Sequence, residues 1–219
     1  MLKAVLFDMD GLITDTEKLL SRFWCEAAAF YGYPMTPEHV LGIRSLCSKY
    51  SAPHLRSIFG EDFDYPAVRA KRIELMNDYI SKYGIEAKAG LYELLDYIKQ
   101  SGLKCAVCTA TDSQRTRRYL SSINALESFD ELVCGDMIKN GKPDPDTYLE
   151  GAAKLGFLPN ECAALEDSPN GIESAYRAGC IPIMVPDLSQ PDEELKAKVY
   201  AVCDSLADVT DVLDKLLRL

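Results

Sequence analysis

No apolar run in this chain is long enough to cross a bilayer, and Met1-Leu2-Lys3 leads straight into a short strand-like segment, so neither a signal peptide nor a membrane anchor is expected. Positive charge is in short supply: 24 Lys and Arg face 34 Asp and Glu, a net charge of -10. That balance argues against an electrostatic nucleic-acid surface. An anionic substrate would therefore need a local positive site, made from a metal ion and one or two placed lysines. Histidine is confined to His39 and His54, with no acid or thiol paired to either, and both read as surface or packing residues. The one tryptophan, Trp24, falls in a helical apolar stripe and reads as core. Internal repeats and low-complexity segments are absent. The eight cysteines include Cys105 and Cys108 in a C-x-x-C, but no second Cys/His pair has metal-ligand spacing, and both lie in a run that reads as a buried strand. Reduced thiols and a cytoplasmic location are the expectation.

What is present is enough apolar material for one sizeable core, or a core with a smaller insertion: 47% of 219 residues are hydrophobic. Lys3–Phe7 reads as a buried strand ending at Asp8. From Thr16 to about Tyr83 the pattern turns helical, with Phe23, Trp24, Ala27, Phe30 and Tyr31 in one stripe and Ile73, Met76, Asn77 and Ile80 in another. After Gly90, strand-like runs at Cys105–Cys108, Leu132–Cys134, Ala163–Glu166 and Ile181–Val185 alternate with helices. One of these has Asp144 as cap and Pro145 as its first residue, and another is opened by Ser168-Pro169. Such alternation predicts an α/β fold, a Rossmann-like parallel sheet with helices on both faces, interrupted after its first strand by an all-helical insertion. The expected division is a core of residues 1–15 and 87–219 and a helical cap of residues 16–86, lying over the sheet edge where such folds place ligands.

Four polar sets fall just past strand ends. Asp8-Met9-Asp10-Gly11 offers one carboxylate to attack phosphorus and a second to move a proton. Thr109, with the backbone N–H groups of Ala110 and its neighbours ahead of a helix, suits a phosphate oxygen. Lys142 lies between Gly141 and Pro143-Asp144-Pro145, in a stretch stiffened by two prolines. Glu166-Asp167 closes an apolar strand with two carboxylates, poor packing residues and good Mg²⁺ ligands. Each alone reads more simply as a turn, a helix cap or a solvated side chain. Their joint occurrence at C-terminal strand ends of one sheet does not.

These residues give the chain a resemblance to the haloacid dehalogenase-like hydrolases, and within them to the subfamily of small phosphatases that includes β-phosphoglucomutase. The matching positions are Asp8-Met9-Asp10-Gly11 with Thr14-Asp15-Thr16, Thr109, Lys142-Pro143-Asp144, and Glu166-Asp167-Ser168 with Gly171, spread over nearly the whole chain. The resemblance implies Asp8 as nucleophile and Asp10 as acid and base. It implies Thr109, Ala110, Lys142 and Thr16 on the phosphate side, and Mg²⁺ held by Asp8, the Asp10 carbonyl and Asp167, with Glu166 as ligand or neighbour. Arg44 stands where the subfamily's cap carries a specificity loop and is a candidate for a distal phosphate, with a solvated arginine as the equal alternative. Lys49 is a weaker candidate.

β-Phosphoglucomutases typically have lysine where Asp112 stands and asparagine near Ser113. An acid here favours a phosphatase acting on a small phosphorylated metabolite, a sugar phosphate by expectation, with a mutase as runner-up. Arg115, Arg117 and Arg118 read as one polar helix end. A catalytically dead regulatory protein on the same fold is the alternative of another class. A monomer or weak dimer is expected, with neither nucleic acid nor membrane as partner.

Overall fold

The computed structural model describes residues 1–218; Leu219, the last residue of the expected 87–219 segment, lies outside them. Six strands form one parallel sheet: β1 (Ala4–Phe7), β2 (Lys104–Cys108), β3 (Glu131–Val133), β4 (Cys162–Glu166), β5 (Ile181–Met184) and β6 (Ala201–Val202). Their order is β3-β2-β1-β4-β5-β6, the doubly wound Rossmann arrangement. The chain leaves β1 for β2 on one side and returns later to β4 on the other. The crevice this opens lies at the C-terminal ends of β1, β2 and β4, where Asp8, Thr109 and Asp167 follow their strands.

Strand side chains alternate between two cores, as a two-residue period requires. Val5, Phe7, Cys105, Val107, Ala163 and Leu165 join one cluster with α5 (Leu91–Gln100), α6 (Ser113–Ser122) and α10 (Val209–Leu217). Ala4, Leu6, Ala106, Cys108, Cys162 and Ala164 join a second with α7 (Asp146–Leu155) and α8 (Pro169–Ala178). Helices thus cover both faces. Cys105 and Cys108 belong to opposite faces, which removes any pairing of the C-x-x-C.

Between β1 and α5 run α1 (Glu17–Phe30), α2 (Pro37–Leu41), α3 (Ser48–Phe59) and α4 (Tyr65–Tyr83). They enclose a cluster of their own around Trp24, Ala27, Leu55, Phe63 and Val68. Phe30 and Tyr31, expected in the apolar stripe of α1, are exposed at its end instead. The two chains entering and leaving this helical block run side by side: Asp15 N–H donates to Glu86 O (2.9 Å) and Lys88 N–H to Ile13 O (2.9 Å). No helix among the described residues is long and apolar enough to cross a membrane.

Helix starts follow capping chemistry. Asp64, Asp112 and Ser168 each accept a first-turn N–H of α4, α6 and α8. Asp144 is not the cap that the sequence suggests; α7 begins at Asp146 after Pro145. Cations and a phenol compete for that carboxylate: Tyr50 Oη donates to it at 2.6 Å, and Lys49 and Arg177 each approach to 3.4 Å.

Candidate active site

The β1 strand delivers Asp8 into a buried position, and the turn after it is tightly bonded. Leu12, Ile13 and Thr14 N–H groups all point to Met9 O, which folds residues 9–14 back over the strand end. Gly11 makes this turn with φ +89, and a side chain there would meet the carboxylate of Asp167 and the stem of Glu17. Asp10 is thereby aimed back at the strand tips. Thr16 Oγ1 donates to its Oδ1 (2.7 Å) and Thr111 Oγ1 to its Oδ2 (2.8 Å), so both carboxylate oxygens are oriented by hydroxyls.

Lys142 is fully buried, its ammonium 2.5 Å from Asp8 Oδ1 and 2.5 Å from Glu166 Oε1. Tyr148 donates to that same Glu166 oxygen (2.5 Å). Burial alone would lower the lysine's pKa, but the two carboxylates more than compensate and hold it above its ordinary value. Gly171, in the first turn of α8, leaves the space that the Glu166 carboxyl occupies; any Cβ there would overlap it.

Asp8, Glu166 and Asp167 each present a carboxylate oxygen within 4.8 Å of one another. Burial pushes the Asp8 carboxyl well above its usual range; Lys142 opposes this, and Glu166 and Asp167 add to it. Asp167 is pushed up likewise by burial and by Glu17, with Arg44 opposing. Asp8 Oδ2 and Asp167 Oδ1 are buried without a hydrogen-bond partner among the described residues. Four buried carboxylates, Asp8, Glu17, Glu166 and Asp167, are met by two buried cations, Lys142 and Arg44. Carboxyl groups thus outnumber the cations that face them. Orphaned hard oxygen donors with that imbalance fit Mg²⁺.

Thr109 is buried just past β2, its Oγ1 accepting the Thr111 N–H (3.1 Å), and it lines the same cavity as Ala110. That cavity, of about 530 Å³, lies between the strand tips and the helical block and is lined by Asp8, Asp10, Thr109 and Arg44 among others. Thr16 is buried with its hydroxyl engaged by Asp10 rather than directed to the cavity. Arg44 is not a solvated arginine: it is buried, pairs with Asp167 and lies 3.0 Å from Glu17 Oε2. The loop carrying it is pinned to the core, since Asn170 donates to Arg44 O (2.9 Å) and Ser168 to Ser45 Oγ (2.9 Å).

Three residues at this site carried no sequence signal. Glu17 reads as an ordinary first-turn acid of α1, yet it is buried against Arg44, and burial first, with Asp10 and Asp8 adding, raises its carboxyl to about 8. Thr111 reads as a loop residue. Tyr148 reads as helix core. Arg115 is also corrected: it is no solvated helix end but a buried side chain at the cavity, 2.5 Å from Asp112 Oδ2, whereas Arg117 and Arg118 are exposed.

Comparison with known proteins places the chain in a family. The family model for haloacid dehalogenase-like hydrolases matches residues 5–185. A phosphorylated carbohydrates phosphatase of Thermotoga maritima is 32% identical over 178 residues, 81% of this chain and 82% of that protein. A β-phosphoglucomutase of Bacillus subtilis is 30% identical over 192 residues, 84% and 83% of the two chains. Among solved structures, CbbY from Rhodobacter sphaeroides in complex with phosphate superposes with a TM-score of 0.80 at 28% identity, covering 95% of this chain and 96% of that one.

Proposed function

The chain belongs to the haloacid dehalogenase-like hydrolases and is a phosphoric monoester hydrolase, and on that premise we propose that it dephosphorylates a small phosphorylated carbohydrate through a phosphoryl group carried on Asp8. The observation that carries this reading is the fully buried Lys142 ammonium held between Asp8 and Glu166. It favours the ionised form of Asp8, which is the nucleophile, and places positive charge where phosphoryl oxygens arrive.

In this mechanism an Asp8 carboxylate oxygen forms a bond to phosphorus while the bond from phosphorus to the sugar oxygen breaks. Asp10 gives its proton to the leaving oxygen. In the second half Asp10 takes a proton from water, which attacks phosphorus and breaks the Asp8 oxygen–phosphorus bond, releasing inorganic phosphate and restoring both residues. Thr16 and Thr111 hold Asp10 at the angle both transfers need. Thr109 and the Ala110 backbone grip phosphoryl oxygens beside Lys142. Asp8, Asp167 and the Asp10 carbonyl would hold Mg²⁺, with Glu166 beside them, and the bound ion supplies charge neutralisation. Residues 16–86 act as a cap that admits substrate and limits water.

A mutase must bind a bisphosphate and hand its phosphoryl group back to the sugar. Asp112 counts against that: its carboxylate caps α6 through Arg115 N–H (3.0 Å) and pairs with the Arg115 side chain, so it presents no cation of its own. The decisive experiment is Asp8→Asn assayed on p-nitrophenyl phosphate and a sugar phosphate panel. Turnover falls to background; a variant that kept its activity would overturn the mechanism and favour a non-enzymatic protein. β-Glucose 1-phosphate with a trace of bisphosphate, scored for free phosphate and glucose 6-phosphate, separates hydrolysis from transfer.

A further inference from the structure

The Lys142 ammonium is shared evenly, 2.5 Å from Asp8 Oδ1 and 2.5 Å from Glu166 Oε1. That division cannot persist through the reaction. When an Asp8 oxygen bonds to phosphorus the carboxylate loses its charge, and negative charge gathers on the phosphoryl oxygens that Lys142 must meet. Glu166 keeps its charge and competes for the same ammonium. Whatever restrains Glu166 therefore decides how much of the Lys142 charge reaches the reacting group.

Tyr148 is placed to do this. Its N–H donates to Pro145 O (3.1 Å), in the first turn of α7. Helix side chains lean toward the N-terminus, so Tyr148 reaches back toward the segment that carries Lys142. The backbone of that segment is pinned from α8, since Ser174 donates to Asp144 O (2.6 Å) and Arg177 to Pro143 O (3.1 Å). The Tyr148 ring is fully buried in the cluster of Leu6, Ala106, Val133 and Ala152, a packing role that phenylalanine would fill equally well. The hydroxyl is what differs. It donates to Glu166 Oε1 (2.5 Å), the oxygen that also takes Lys142, while the ring faces the ammonium at 4.9 Å. Ser168 Oγ stands 3.4 Å from Glu166 Oε2.

A phenol donor on the shared oxygen has two effects. It fixes the direction of the carboxylate, and it satisfies part of that oxygen's acceptor capacity with a neutral group, so that Glu166 draws less on Lys142. We infer that Tyr148 is a positioning residue for the reaction: by holding Glu166 Oε1 it leaves the Lys142 charge free to follow the phosphoryl group in the transition state. This rests on the phosphatase reading above and adds a residue to its machinery.

The test is Tyr148→Phe, which keeps the ring and its packing and removes the donor, in the full chain with Mg²⁺. A buried acceptor left short of its donor predicts a fall in kcat on p-nitrophenyl phosphate on the order of 10-fold, with KM unchanged. Orthovanadate, which mimics the phosphoryl group in transfer, should bind more weakly by the same factor, and inorganic phosphate as before. In a Glu166→Gln protein the same substitution should cause no further loss, because the competing charge is gone. A Tyr148→Phe protein that melts lower but keeps its kcat and its vanadate affinity would overturn the inference, leaving Tyr148 as core. So would a loss of equal size in the Glu166→Gln background. Calorimetric binding of orthovanadate reads the effect without turnover. A wild-type protein that hydrolyses no phosphate ester, yet loses vanadate affinity on Tyr148→Phe, would sink the phosphatase reading alone. Hydrolysis with a kcat indifferent to Tyr148→Phe would sink the positioning role alone.

Discussion

Lys142 is the residue on which the charges of the site turn. It stands between two buried carboxylates and over the Tyr148 ring, 4.9 Å from the centroid. Lys142→Met keeps the volume and removes the charge, leaving Asp8 and Glu166 buried and unpaired. The expected result is a loss of stability of about 3–5 kcal/mol by urea unfolding. A fall in kcat on the order of 100-fold or more is also expected, as for loss of a transition-state charge partner. The metal balance is tested at the same scale. With Lys142 and Arg44 offsetting only two of four carboxylates, chelator should abolish turnover and lower the Tm. Mg²⁺ added to about 100 times its Kd should restore roughly 2.7 kcal/mol of stability. Full activity in excess chelator would rule out the metal.

Among the elements, α6 shows how a local rule and the site are joined. Asp112 caps it and also turns Arg115 toward the cavity. Partial burial would raise the Asp112 carboxyl, but the Arg115 backbone N–H, side-chain bond and charge together hold it below its ordinary value. A carboxyl lowered on folding stabilises the protein above its unfolded pKa, about 3.9, and that contribution fades as pH falls through the folded value. Asp112→Ala should therefore cost about 1 kcal/mol near neutral pH. The gap to wild type should narrow below about pH 4. Thermal melts at pH 7 and pH 3.5 check this; a gap that widened in acid would contradict the assignment.

At the scale of the molecule, the helical block is joined to the sheet by two adjacent linkers and meets the core in two ways: Phe23, Met76 and Ile80 join the apolar cluster of the sheet, and polar contacts hold the block over the site. The polar contacts include Arg44 with Asp167, Ser45 with Ser168, and Tyr50 with Asp144. An interface that is polar over the site itself makes relative motion the expectation. Solution scattering should show a smaller radius of gyration with Mg²⁺ and orthovanadate than without them. Identical profiles would count against a moving cap.

The sequence by itself determined the sheet and singled out the candidate centre. Alternating helix and strand signals dictate a parallel sheet covered on both faces; Asp8, Thr109 and Glu166-Asp167 are legible because each ends or follows a strand-like run, and Lys142 because two prolines stiffen its stretch of the loop after β3. Their geometry needs only the rule that strand tips of a parallel sheet share one edge. What only the tertiary structure decided is how charges from separate elements are shared. Arg44 reads equally well as solvated or as a substrate ligand until α1 brings Glu17, and β4 brings Asp167, against it. Arg72 reads as one more polar residue of α4 until Trp24 and Arg115 close around it. Period and propensity report which face of an element is buried. They carry no information on which side chain of another element is buried beside it, and that neighbour sets both the partner and the pKa.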